Sequence, residues 1–128
     1  MRLLLDTHAF IWWVEQDDQL SRRAREAILG APNDVYVSAV TGLEIATKVR
    51  TRKLKFDVRR LEHFEDTVRE LGFQGMGVTL AHGCRAGLLP GEHRDPFDRI
   101  LAAQCEIESA ALVTKDRAFA AFGTPMLW

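Results

Sequence analysis

Four acidic residues fall at or just beyond short apolar runs. Asp6 follows Leu3-Leu4-Leu5, Glu44 lies in the stretch after Val35-Tyr36-Val37, Asp98 sits just inside a helix opened by Asp95-Pro96, and Asp116 comes three residues after Ala111-Leu112-Val113. Carboxylates gathered in one place repel one another and lose hydration, and a bound divalent cation relieves both costs. An all-oxygen donor set suits Mg²⁺ or Mn²⁺, as one ion or two. The matching chemistry is phosphodiester hydrolysis. The ion polarises the phosphate, lowers the pKa of a bound water and neutralises developing charge.

Each acid also has an ordinary structural use. Asp6, Asp95 and Asp116 are each placed to cap a helix, and Asp98 suits the positive end of a helix dipole. Thr41-x-x-Glu44 reads as a capping box, and Glu44 with Lys48 is an i,i+4 ion pair. Capping and catalysis are compatible, and four strand-end acids in one small sheet exceed what capping requires. The quartet would titrate as a coupled group.

Other residues carry weaker signals. Residues 48–60 hold seven basic side chains against Asp57 alone, a local charge of +6 within a chain of net charge -1. That stretch, with Arg52 and Lys53 at its centre, is either a track for a polyanion backbone or a solvated face. Arg94, Arg99, Lys115 and Arg117 lie nearer the acids and are expected to contact phosphate or pair with carboxylates. Trp12 and Trp13 are adjacent on one helix and cannot share a direction, so one is expected at a partner surface; the plainer alternative is two aromatics at the core edge. His8 and His93 flank acids without metal-ligand spacing and read as hydrogen-bonding or solvated residues. His82, Cys84 and Cys105 make no zinc pattern, and Cys105 reads as a small packed residue. Phe97, Ile100, Leu101 and Ile107 read as core.

The elements that must position these groups alternate. Strands are expected at 2–5, 35–37, 76–78, 111–113 and 125–127. Helices are expected at 7–15, 22–29, after a cap at Ser38 or Thr41, at 58–71, 80–88, 96–108 and 117–122. Such alternation specifies a parallel sheet with helices on both faces. Sites in these sheets lie outside the carboxyl ends of the strands, where the four acids fall.

Length and composition fit this reading. The 128 residues, 47% hydrophobic and 27% charged, make one domain, 1–128. No apolar run approaches the roughly 20 residues of a membrane span, and Asp6 arrives too early for a signal-peptide core. Two cysteines without C-x-x-C spacing leave a reduced, cytoplasmic protein as the expectation. Gly75-x-Gly77 does not extend to a dinucleotide fingerprint, so no nucleotide cofactor is expected.

Leu3-Leu4-Leu5-Asp6-Thr7-His8, Ser38 with Glu44, the block from His93-Arg94-Asp95-Pro96-Phe97-Asp98 to Gln104, and Leu112-Val113-Thr114-Lys115-Asp116 together resemble the PIN-domain ribonucleases, and among them the VapC-type toxins of toxin–antitoxin pairs. The resemblance runs from Arg2 to Trp128. It implies a three-layer α/β/α fold on a mostly parallel sheet of four to five strands. It also implies Mg²⁺-dependent cleavage of RNA, inhibition by a cognate antitoxin, and a homodimer. The family's acidic quartet maps onto Asp6, Glu44, Asp98 and Asp116, with Asp6, Asp98 and Asp116 on the metal and Glu44 orienting water or holding a second ion. Its supporting hydroxyl maps onto Thr114, with Asp95 and Thr7 as further supports, and Trp12 and Trp13 offer an anchor for an antitoxin helix.

Competing readings are another metal-dependent nucleic-acid or phosphoryl hydrolase, a receiver-like signalling module, and a non-catalytic antitoxin partner. An aspartyl-phosphate phosphatase would want D-x-D where this chain has Asp6-Thr7-His8. A receiver would want a second acid beside Asp6.

Overall fold

The computed structural model describes residues 1–92 and 94–128. Strands β1 (Arg2–Leu5), β2 (Asp34–Ser38), β3 (Gln74–Met76), β4 (Ala110–Val113) and β5 (Met126–Leu127) form one sheet in the order β3-β2-β1-β4-β5. Every pairing is parallel.

The unbroken leucines of β1 have a simple cause. β1 lies at the middle of the sheet, so both of its faces need cover. Leu3 and Leu5 point into one cluster with Val35, Val37, Ala111 and Val113. That cluster is covered by α1 (Thr7–Glu15), α2 (Arg22–Leu29), α3 (Ala39–Arg50) and α5 (Phe64–Glu70), through Phe10, Ile28, Ile45 and Val68. Leu4 points the other way, with Leu112, into a second cluster. There it meets Ala86 of α6 (Leu80–Leu88), Leu101 of α7 (Pro96–Glu108) and Phe119 of a 3₁₀ helix, Arg117–Phe122. All three leucines are fully buried, each contributing about 1.5–3 kcal/mol of transfer free energy. The expected three layers are present.

Register sets the site. Leu5 stands opposite Val37 on one side and Val113 on the other. The next residues, Asp6, Ser38 and Thr114, therefore leave the sheet side by side, and the Asp6 amide still donates to the Val113 carbonyl at 3.1 Å. The chain runs outward from β1 to β3, then crosses back to place β4 on the other flank of β1. The reversal between β1 and β4 is the switch point at which such sheets open a crevice.

Several boundaries differ from the sequence expectation. The helix expected over 58–71 is broken at His63, with α4 (Val58–Glu62) on one side and α5 on the other. His63 takes φ -117° and ψ 44°, and the Thr67 hydroxyl reaches across the break to the Arg60 carbonyl at 3.1 Å. Leu61, Phe64, Val68 and Leu71 still face the first cluster. β3 ends at Met76, because it pairs Gln74 to Met76 with Tyr36 to Ser38 and leaves Val78 outside the sheet. β5 likewise starts at Met126, one residue later than expected. Ser38, not Thr41, caps α3, accepting from the Val40 amide at 3.1 Å. Ile107 is not core: at the outer face of α7 it is 42% exposed, because Leu101, Ala102 and Cys105 already fill that helix's inner stripe. No helix among the described residues is long and apolar enough to cross a membrane.

Candidate functional site

Asp6 is both a helix cap and the most enclosed acid of the site. Its Oδ1 accepts from the Ala9 amide at 2.7 Å, starting α1. Its Oδ2 accepts from the Thr114 hydroxyl at 2.5 Å. Thr114 in turn accepts from the Asp116 amide at 3.0 Å, which fixes the turn after β4. Asp116 is exposed and caps the 3₁₀ helix through the Ala118 amide at 2.9 Å. Asp95 caps α7 through the Phe97 amide at 2.9 Å, with Pro96 at the first helical position. That cap directs the first turn of α7, and Asp98 with it, toward the other acids.

Glu44 reaches the same place from α3. Its Oε1 accepts from the Thr7 hydroxyl at 2.9 Å and its Oε2 lies 3.2 Å from the Lys48 ammonium. Thr41 is wholly buried, 3.4 Å from the Thr7 hydroxyl. The capping-box reading of Thr41 and Glu44 is thereby overturned: Ser38 has taken the cap, and Glu44 bonds the start of α1 instead. The sequence reading missed Thr41 as a support. Its β-branched hydroxyl one turn before Glu44 was the available signal.

Asp6, Glu44, Asp95, Asp98 and Asp116 line one cleft of about 170 Å³, with His8 at its side and Leu101 and Phe119 behind. Larger hollows lie elsewhere. One of about 500 Å³ sits at the amino-terminal end of the strands beside Arg2, Ala110 and Pro125, and lacks this set of acids. Burial raises the Asp6 pKa above the ordinary carboxylate value. The hydrogen bonds from Thr114 and Ala9 and the nearby His8 pull it back down, and the Asp98 charge pushes it up.

The donor chemistry fits a hard divalent cation, since the cleft offers carboxylate and hydroxyl oxygens and no sulfur. Among the described residues, no three His, Cys, Asp or Glu side chains stand close enough to enclose an ion unaided. The acids share a cleft, but their oxygens are committed to caps, hydroxyls and Lys48.

The basic candidates separate. Arg52, Lys53, Arg94 and Lys115 are exposed. Arg99 is removed from the substrate-binding set. Its Nε donates to the Ala86 carbonyl at 2.9 Å, another guanidinium nitrogen donates to the Leu89 carbonyl, and the group lies over the Phe122 ring. The guanidinium is drawn there because the carbonyls at the end of α6 need donors. Trp12 and Trp13 are both half-buried against the first cluster. Trp12 meets Trp128 edge-on at 5.8 Å, and Trp13 meets Phe73 at 5.8 Å under Arg25. Both are core-edge aromatics, and neither projects freely. His8 is exposed, its ring 5.5 Å from that of Trp12, while His93 lies outside the described residues. His82 is buried, accepting from the Thr79 amide at 3.0 Å and facing Glu108 at 3.0 Å. Cys105 is buried, its thiol pushed up to about 12 by burial, and Cys84 is exposed.

Comparison with known proteins agrees with this geometry. Ribonuclease VapC22 of Mycobacterium tuberculosis (strain ATCC 25618 / H37Rv) is 28% identical over 116 residues, covering 90% of this chain and 87% of the relative. The crystal structure of VapBC2 from Rickettsia felis, bound to a DNA fragment from their promoter, superposes with a TM-score of 0.73 at 15% identity. That match covers 98% of this chain and 97% of the other. A toxin–antitoxin complex from Klebsiella pneumoniae matches with a TM-score of 0.59 at 19% identity, covering 89% and 86%. The PIN domain model matches residues 3–124, a span that holds all five cleft acids and every strand except β5, and this chain therefore belongs to the PIN domain family.

Proposed function

We propose that this chain is a divalent-metal-dependent endoribonuclease and the toxin of a toxin–antitoxin pair, acting in the cytoplasm. The observation that carries the reading is the convergence of Asp6, Glu44, Asp98 and Asp116, from four separate segments, on one cleft at the sheet's switch point. Family membership and the VapC22 ribonuclease among its relatives support it. The VapBC and toxin–antitoxin structures among its neighbours support an antitoxin as partner, and the resemblance to VapC-type toxins supports a homodimer.

In this reading Asp6, Asp98 and Asp116 hold Mg²⁺ or Mn²⁺, as one ion or two, with Glu44 as a further ligand or as the group that orients and deprotonates the attacking water. Bound there, the ion supplies Lewis acidity toward the scissile phosphate and lowers the pKa of water. Thr114 holds Asp6 against β4 and ties the Asp116 turn to it. Thr7 holds Glu44 toward the same cleft. Asp95 sets the angle of α7 and hence of Asp98. Arg52, Lys53, Arg94 and Lys115 supply positive charge for the RNA backbone.

The test is incubation of the purified chain with cellular RNAs and with duplex DNA, in Mg²⁺ and in EDTA, followed by mapping of cut ends. The expected result is Mg²⁺-dependent cutting of RNA but not DNA, lost in Asp6→Asn and Asp98→Asn. Cutting that survives EDTA or both substitutions defeats the metal reading. Cutting of DNA alone would make the chain a different hydrolase.

A further inference from the structure

Lys48 and Glu44 form more than a helix-surface ion pair. The comparable i,i+4 pair Arg22–Glu26 has side chains 92% and 65% exposed, whereas Lys48 and Glu44 are 33% and 19% exposed. Solvent screens the second pair less. Glu44 is also held on its other oxygen by Thr7, the residue after Asp6, and Thr7 is backed by the buried Thr41. Both carboxylate oxygens of a cleft acid are thus occupied by donors of this chain. A divalent ion approaching Glu44 meets an ammonium already 3.2 Å from Oε2, and two cations on one carboxylate repel each other.

We infer that Lys48 is a positioning residue that serves as a built-in counter-ion for Glu44, keeping this carboxylate oriented along the cleft wall and lowering the cleft's affinity for a divalent cation. The inference rests on the metal-dependent reading above. It adds that the chain regulates its own metal occupancy through the first residue of the basic stretch at 48–60.

Mn²⁺ binding to the full chain without RNA, followed by electron paramagnetic resonance of the free ion and by calorimetry, tests this. Lys48→Met keeps the aliphatic stem, Lys48→Gln offers a second neutral side chain, and Lys48→Arg keeps the charge. Lys53→Met removes an equal charge from an exposed site five positions on. Lys48→Met and Lys48→Gln are expected to bind Mn²⁺ roughly two- to fivefold more tightly, in line with the strength of a partly screened pair. Lys48→Arg and Lys53→Met should stay near the parent. Unchanged or weaker binding in both neutral Lys48 variants overturns the inference, as does an equal shift in Lys53→Met, which would indicate net charge alone. Absence of Mn²⁺ binding by the parent and every variant overturns the metal-dependent reading itself, and this inference with it.

Discussion

The Thr114 hydroxyl donates to Oδ2 of Asp6 across a sequence separation of 108 residues. The contact exists because β1 and β4 are parallel neighbours in register, so the residues just past Leu5 and Val113 emerge together. The same hydroxyl accepts from the Asp116 amide. One side chain therefore links two acids of the cleft.

Thr114→Val removes that link while keeping the β-branched shape. It leaves a buried carboxylate oxygen and a backbone amide without their partner. Loss of about 1–3 kcal/mol is expected, read from urea unfolding, with RNA cleavage reduced at least about tenfold. Thr114→Ser should recover most of both. A valine variant as stable and active as the parent would show that the hydroxyl does not hold the site.

Asp6 should trade stability for chemistry. Burial holds its pKa above the ordinary carboxylate value in the folded chain, so the folded state binds the proton more tightly than the unfolded one. Without metal, Asp6 then contributes a penalty that is absent below the ordinary carboxylate pKa. The penalty grows as pH rises and is complete above the folded-state pKa. Asp6→Asn keeps the cap and removes the penalty. In EDTA the variant's stability advantage should widen between about pH 4 and pH 7, as measured by urea midpoints. Mg²⁺ should narrow it by stabilising the parent alone. RNA cleavage should fall by at least about 100-fold. A stability gap that stays constant or shrinks with rising pH contradicts this account.

The arginines divide by role. Reversing charge in Arg52→Glu with Lys53→Glu should weaken RNA binding and flatten its salt dependence by roughly two on the log–log slope for single-stranded RNA, while leaving the urea midpoint in place. Arg99→Met should do the opposite. Loss of its bonds to the Ala86 and Leu89 carbonyls is expected to cost about 1–3 kcal/mol of stability without changing RNA affinity. Titrations at several salt concentrations separate the two. Arg99→Met weakening RNA binding in a fully folded protein would return Arg99 to the substrate surface.

His82 belongs to the fold and not to the chemistry. Its ring accepts from the Thr79 amide, closes the capping box of α6, and meets Glu108 at the end of α7. His82→Leu should lower stability by about 1–3 kcal/mol through the groups it leaves unpaired. The cleavage rate of the folded variant should be unaltered. A rate loss larger than the loss of folded protein would place His82 in the active machinery.

Much of this molecule follows from neighbours within about four positions along the chain. The caps at Asp6, Ser21, Asp57, Asp95 and Asp116, the helical stripe of Leu61, Phe64, Val68 and Leu71, and the apolar run of β1 are local patterns, and the structure realises each. Placing four acids at strand ends was equally legible, because a parallel sheet puts those ends on one edge. Tertiary structure alone decided which acid is buried, whether Thr41 caps or supports, and that Arg99 fastens α6 instead of facing the cleft. It also decided that α4 and α5 part at His63. These outcomes turn on donors and acceptors that meet only after register and crossover bring distant segments together. Local spacing carries no record of them, since the same residue satisfies its hydrogen bonds with whichever partner packing delivers.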